Sequence, residues 1–379
     1  MKVGSFLDDL EGEERDINIP KDSDIENLMK TFESWSDNTL IDDHESFGPH
    51  YFKLIELIEN NLINKNTINE FVSVYLNNDF ENKKQEMLGI FTGAMLDIYT
   101  KKFQDDIYIN GHNNYFNYLF HHAKNINTLI LDNFKGDNIL RKAGTENINN
   151  LIIANSNLKE CCNYIGQKGK INNLILLNNT IERGFYYAFN SGAINNLIIA
   201  NCNIDDFGEQ IGYNSKINLF LNLNCIINDS FGELGLNAEI NNASFINSRV
   251  AGSLFMACCG SNPDKTDINN DYIKMGNINV MLANSVGYNV LCESYINKLI
   301  LYKAHFSDKD EDNPYGSDKV NNFNDNLHAN FISNEPDSEI DYDIIIQNMH
   351  DLINFTKSKY NKKFEYDDII KVKDLVEAL

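Results

Sequence analysis

Ile148-Asn-Asn-Leu-Ile-Ile153 returns 23 residues later as Ile171-Asn-Asn-Leu-Ile-Leu176, and 23 residues after that as Ile194-Asn-Asn-Leu-Ile-Ile199. The same Ile-Asn opening stands at Ile126, Ile217, Ile240, Ile278 and Ile296. A repeat of this length marks a solenoid, in which each unit buries its apolar face only by stacking on its neighbours. Numbered from the recurring Ile, position 2 is always Asn: Asn127, Asn149, Asn172, Asn195, Asn218, Asn241, Asn279 and Asn297. Position 4 is apolar, running from Leu129, Leu151, Leu174 and Leu197 to Phe220, Ala243, Met281 and Leu299. Position 6 is mostly apolar too. This period-two alternation makes positions 4 to 8 a short strand, and successive strands stack in parallel about 4.8 Å apart.

The Asn column has a structural reason. A turn leaves backbone groups without ladder partners. An amide side chain carries both a donor and an acceptor, so stacked Asn residues bond the turn and each other. Small residues such as Gly169 and Gly192 at position 22 mark a tight turn, and Gly144, Gly166, Gly212 and Gly235 mark a second corner. Cys202 and Cys225 share position 9 one coil apart and read as interior fillers rather than metal ligands. The seven cysteines show no paired C-x-x-C spacing. No metal or other cofactor is expected.

Outside the repeats, residues 1–21 read as an acidic flexible leader and 22–110 as an α-helical N-terminal cap region. Ser23 to Glu26 and Thr67 to Glu70 have the form of capping boxes. Three amphipathic faces follow: Tyr51, Leu54, Ile55, Ile58 and Leu62; Ile68, Phe71, Val72, Tyr75 and Leu76; and Leu88, Phe91, Met95 and Ile98. The solenoid is expected over 115–306, with about eight coils of 22–23 residues, and its later coils are irregular near Cys259 to Ile273. A polar linker over 307–338 leads to an α-helical C-terminal region over 339–379. There Ile345, Met349, Leu352 and Thr356 share one face, and Ile369, Val372, Val376 and Leu379 another.

The phrase Ile171-x-x-Leu174-x-Leu176-x-x-Asn179-x-Ile181 resembles the leucine-rich repeat, and Ile194 to Ile204 fits with Cys202 in the Asn slot. The second half of each unit departs from that family, being rich in Gly, Asn and Lys. The Asn column, the small corner residues and the coil length are similar to right-handed parallel β-helix proteins. That likeness implies a mainly β fold, a parallel β-solenoid flanked by helices. It also brings in carbohydrate-binding or carbohydrate-processing activity, since many β-helix proteins act on acidic glycans.

Two stripes carry the functional expectations. Position 5 points outward and forms an apolar ribbon of Ile130, Ile152, Ile175, Ile198, Leu221 and Ile300. An outer apolar ribbon needs a cover, supplied by the protein's own helices, by a partner or by self-association. Positions 12 and 13 form an acidic stripe of Asp137, Glu160, Glu182, Asp205, Asp206 and Asp229, interrupted by Arg183. It reads as a solvated edge, or as a site for a cation or a basic partner. A net charge of -23 counts against nucleic acid and anionic membrane surfaces as partners. No apolar run has signal-peptide or membrane-helix length, which points to the cytoplasm. No P-loop, dinucleotide fingerprint or nucleophile elbow occurs, and no catalytic residue is assigned. The expectation is therefore a non-enzymatic cytosolic scaffold or adaptor that binds protein partners, basic ones included, through its solenoid. A carbohydrate-binding or carbohydrate-processing β-helix is the alternative, and a structural subunit of a larger assembly a further one.

Overall fold

A computed structural model describes residues 22–39, 47–208, 211–229, 239–253 and 349–379, with short strand segments between 279 and 333. Four helices come first: α1 (Asp22–Asn38), α2 (Phe47–Ile58), α3 (Lys65–Val74) and α4 (Asn82–Lys102). Asn64, not Thr67, caps α3: its side chain accepts the Thr67 N–H, which places Thr67 inside the first turn. The Ser23 box likewise falls inside α1, which begins one residue earlier. Tyr51, Leu54 and Ile58 of α2 are buried as their spacing predicts, whereas Leu62 lies beyond the helix and is exposed.

The solenoid begins with β1 (Asp106–Tyr115) and β2 (Asn125–Asp137). Each later coil pairs a long strand with a short one: β3 (Asn147–Ala154) with β4 (Asn157–Lys159), β5 (Lys170–Leu177) with β6 (Thr180–Arg183), and β7 (Ala193–Ala200) with β8 (Asn203–Asp206). β9 (Lys216–Leu223) with β10 (Ile226–Asp229) and β11 (Glu239–Ile246) with β12 (Arg249–Ser253) continue the series. All these pairings are parallel, and from β3 to β11 the partners lie 23 residues apart, as in Ile152↔Ile175↔Ile198↔Leu221. The stack is a parallel β-solenoid of about six turns, fewer than the eight openings in the sequence.

The missing regularity has a visible source. β13 (Asn279–Ala283), β14 (Val286–Tyr288), β15 (Tyr295–Ile296), β16 (Lys298–Tyr302), β17 (His305–Phe306), β18 (His328–Ala329) and β19 (Ile332–Ser333) are short. Asn279 pairs with Asn242 and Met281 with Ser244, so the Ile278 opening has slipped by one residue. A one-residue slip exchanges the two faces of a strand. Asn279 therefore stands in the position-3 column rather than position 2, and Met281 in the position-5 column. Asn297 lies outside the described residues. The expected linker also contains β18 and β19, which pair with β15 and β16.

Positions 4 and 6 fill the interior, where Leu129, Leu131, Leu151, Ile153, Leu174, Leu176, Leu197 and Ile199 join one continuous core. Farther along, Phe185, Phe207, Phe220 and Phe245 continue it as a file of rings 4.9, 6.4 and 5.3 Å apart. Among the described residues the return side of the coils is not a helix, so it adds nothing to the leucine-rich-repeat likeness. Instead every second residue is left-handed: Asn138, Leu140, Lys142 and Gly144 in one coil, then Glu160, Cys162, Tyr164, Gly166 and Lys168 in the next. The N–H groups of these residues alternate between neighbouring coils. Cys162 donates down to Ile139 (2.9 Å), Tyr164 up to Tyr186 (2.8 Å), Gly166 down to Ala143 (2.8 Å) and Lys168 up to Asn190 (2.9 Å). A left-handed non-glycine residue costs about 1–2 kcal/mol. The inter-coil bonds and the burial of Leu140, Cys162 and Phe185 hold these residues there. At Gly169 the constraint is space, because a Cβ would stand 2.1 Å from the Gly144 carbonyl oxygen.

The N-terminal helices close one end of the stack. Residues 87–99 of α4 are buried on every side, between the other helices and the first coil. Cβ atoms on Gly89 and Gly93 would stand 2.1 and 2.3 Å from the carbonyl oxygens of Tyr118 and His121, so the helix backbone lies directly on the coil. Asp97 of α4 accepts the Tyr51 hydroxyl (2.6 Å) and the N–H groups of Lys124 (2.8 Å) and Asn125 (2.9 Å), fixing the start of β2. Two further helices, α5 (His350–Ser358) and α6 (Tyr366–Glu377), end the chain.

Candidate functional site

The apolar ribbon on the outer face is covered by the chain itself. Ile130, Ile152, Ile175, Ile198 and Leu221 are fully buried, in one cluster with Ala154, Leu177, Ala200 and Leu223 of position 7. The cover consists of Met349 and Leu352 at and within α5, Phe364 in the turn, and Ile369, Val372 and Val376 of α6. Helix α6 lies over β3 and β5, and α5 over β9. It is thus the C-terminal pair that covers the ribbon, while the N-terminal helices serve the end of the stack. Ile300 continues the column by register, pairing with Met281, but its side chain lies outside the described residues. Burying each large aliphatic side chain contributes about 1.5–3 kcal/mol, so the ribbon and its cover form a second core outside the coils.

Polar columns border the ribbon and set the register of this docking. The position-2 column is a ladder of exposed amides: Asn241 donates to Asn218 (2.9 Å), Asn218 to Asn195 (3.0 Å), Asn195 to Asn172 (3.3 Å) and Asn172 to Asn149 (3.3 Å). Asn127 leaves the column and donates to the Gln104 carbonyl. Two further amide columns were not expected. At position 3, Asn196 donates to Asn173 (2.8 Å), Asn173 to Asn150 (2.7 Å), and Asn150 to the Glu377 carboxylate of α6 (2.9 Å). At position 8 every Asn is left-handed at the coil corner, where Asn tolerates positive φ. There Asn247 donates to Asn224 (3.1 Å), Asn224 to Asn201 (3.0 Å) and Asn201 to the Thr356 carbonyl (2.8 Å). Asn178 donates to Asn155 (3.0 Å), and Asn155 donates to both Asp132 (2.7 Å) and the Phe364 carbonyl (2.7 Å). The Phe364 N–H returns a bond to Asn155 (2.9 Å), so one amide satisfies both backbone groups of Phe364.

The amides of each column point the same way, so each bond polarises the next. The position-3 chain ends on a carboxylate, and both segments of the position-8 column end on a carbonyl of the C-terminal pair. Lys373 with Asp106 (2.7 Å) and Tyr366 edge-on to Tyr108 (4.8 Å) complete the attachment. The doublets Asn149-Asn150, Asn172-Asn173 and Asn195-Asn196 carry the sequence signal for the second column.

The acidic stripe divides into two columns with bases between the carboxylates. Asp137 stands opposite Lys159, which pairs with Glu182 (3.3 Å). Arg183 pairs with Glu160 (2.7 Å) and stands opposite Asp206. Asp205 accepts from Asn228 (3.3 Å), and Asp206 from the Tyr186 hydroxyl and the Gly208 N–H. The strand puts Asp229 opposite Asp206, and its side chain lies outside the described residues. These contacts link coil to coil, and Asp137, Glu160, Glu182, Asp205 and Asp206 do not converge on one point. Among the described residues no group of three metal-ligating side chains occurs. Burial raises the Asp137 carboxyl above its ordinary value, with Lys159 acting against that.

Cys202 and Cys225 are buried at position 9, in one column with Ser156, Asn179 and Ser248. Each of these side chains accepts a backbone N–H from the coil before it: Phe134 to Ser156 (3.0 Å), Ser156 to Asn179 (2.9 Å), Asn179 to Cys202 (3.4 Å), Cys202 to Cys225 (3.4 Å) and Cys225 to Ser248 (3.2 Å). The thiols therefore serve as acceptors as well as fillers. Burial pushes the Cys225 thiol well above its usual value, which makes it a poor nucleophile.

Among the described residues no helix is long and apolar enough to cross a membrane. No protein-family model, curated protein or solved structure matches this chain.

Proposed function

We propose that this chain is a non-enzymatic cytosolic scaffold or adaptor that holds protein partners along its solenoid. One observation carries the reading. The outer sheet seats a two-helix hairpin on its apolar ribbon and fixes it through amide columns that end on the hairpin's carbonyls and carboxylate. Such a surface recognises a helix by an apolar stripe and polar ends, as helix-in-groove binding does. Glu160, Glu182 and Asp206 are engaged by Arg183, Lys159 and Tyr186, and among the described residues the stripe offers the glycan-processing alternative no converged pair of carboxylates.

Affinity capture of the full chain from its native lysate, followed by mass spectrometry, tests the proposal. Recovery of one or a few proteins in fixed stoichiometry is the expected result. Recovery of none, with a glycan array bound or cleaved instead, overturns the scaffold in favour of the carbohydrate reading.

A further inference from the structure

On the return side of the first coils, just beneath α4, two neighbouring cations stand without an ion-pair partner in contact. Neither Arg141 nor Lys142 forms an ion pair among the described residues, although the chain carries a net charge of -23. Arg141 Nε is buried without a hydrogen-bond partner, and its guanidinium sits 5.9 Å from the Tyr164 ring, itself stacked on Tyr187 at 5.3 Å. Beside them His121 is wholly buried, stacked on His122 at 4.3 Å, with neither ring nitrogen hydrogen-bonded. The facing carboxylate is Glu86 of α4, whose oxygen lies 3.7 Å from His121 Nδ1 and pairs with it only when the ring is protonated. Elsewhere other half-buried bases are paired, Lys84 with Glu33, Arg183 with Glu160 and Lys373 with Asp106.

Unpartnered buried donors are rare in folded proteins, and a concentration of them marks a place where something else supplies the acceptor. Burial, with Arg141 beside it, lowers the Lys142 ammonium below its usual value, while burial and the adjacent His122, Arg141 and Lys142 do the same to His121. Among the described residues Arg141, Lys142 and His121 thus share the one facing carboxylate of Glu86, which acts on Lys142 from a distance and contacts only His121.

We propose that Arg141, Lys142 and His121 form a binding site for an oxyanion, the phosphate or carboxylate group of a small molecule. Arg141 offers its planar fork, Lys142 a point charge and His121 a ring N–H. The Tyr164–Tyr187 stack gives the site an aromatic wall. This site lies on a different side of the coil from the ribbon and does not depend on the scaffold proposal.

The test titrates the full chain, in chloride buffer, with inorganic phosphate and separately with acetate. The histidine ring signals are followed by NMR and the heat by calorimetry. Saturable one-to-one binding of either anion with movement of the His121 signals is expected, and the preferred anion identifies the group. Arg141→Gln and Lys142→Gln, each checked for folding by circular dichroism, should weaken binding at least tenfold. Lys363→Gln, in the exposed turn between α5 and α6, should leave it unchanged. Absence of saturable binding by both anions overturns the proposal. So does equal binding by the wild type and by whichever of the two site variants folds.

Discussion

Replacing Asn155 by Gly should loosen the C-terminal helix pair far more than the same change at Asn178. Both residues are left-handed corner amides, with φ of 51° and 53°, and Gly adopts that backbone without strain. Both substitutions break the amide ladder at the same link, the Asn178 to Asn155 bond. Only Asn155 also bonds Phe364, accepting its N–H at 2.9 Å and donating to its carbonyl at 2.7 Å. Two net hydrogen bonds at about 1 kcal/mol each give a difference of about 2 kcal/mol, or roughly 30-fold in the equilibrium for opening the pair. Native-state hydrogen exchange on the α6 amides of Ile369, Val372 and Val376 reads that equilibrium directly. Protection should fall about 30-fold in N155G relative to N178G, with exchange in β5 and β7 the same in both. Equal α6 protection in the two variants would show that the ribbon alone holds the helices and that the amide columns do not.

Other perturbations separate the remaining parts. Val372→Asp places a charge in the dry contact between α6 and the ribbon, so it should increase binding of an apolar dye and promote self-association on size-exclusion chromatography. Cys202→Ser keeps an acceptor for the Asn179 N–H, as Ser156 and Ser248 do in their coils, and should cost less than about 1 kcal/mol in urea unfolding; Cys202→Val orphans that N–H and should cost about 1–3 kcal/mol. Gly169→Ala forces a Cβ to within 2.1 Å of a backbone oxygen and should cost about 3 kcal/mol, read by the same assay. Burial holds His121 neutral, so the unfolded chain takes up its proton first as pH falls. That contribution to stability is complete above the unfolded value near about 6.5 and is lost as pH drops below it. His121→Gln should flatten the decline between about pH 6.5 and 5, and an unchanged pH profile would remove His121 as its cause.

The coil was legible because its driving force is local. A period-two pattern repeated every 23 residues places Leu151, Leu174 and Leu197 inside and Ile152, Ile175 and Ile198 outside. The need for a cover over those outer residues was legible too. Which helices supply it was not, since Asn155 meets Phe364 across 209 residues and Asn201 meets Thr356 across 155. Nothing local in Ile369 or Val372 distinguishes docking there from docking at the end of the stack. The return side escaped for the opposite reason. Leu140, Phe185 and Tyr187 are residues whose own preference is negative φ, and inter-coil bonding overrides it. At Ile278 the phrase recurs in sequence, but pairing in the ladder decides the register and moves it by one. The acidic stripe, with Arg183 interrupting it, reads as a solvated edge or a site for a cation or a basic partner. In three dimensions Lys159 and Arg183 stand between the carboxylates.

The most direct measurement is a methyl NOE spectrum of the full chain with labelled Ile, Leu and Val. The fold predicts contacts that step by 23 residues, from Ile152 to Ile175 to Ile198, and contacts from this same file to Ile369, Val372 and Val376 of α6. Coil-to-coil contacts without any to α6 would leave the ribbon uncovered and remove the basis for the helix-docking surface. Absence of the 23-residue steps would contradict the solenoid itself.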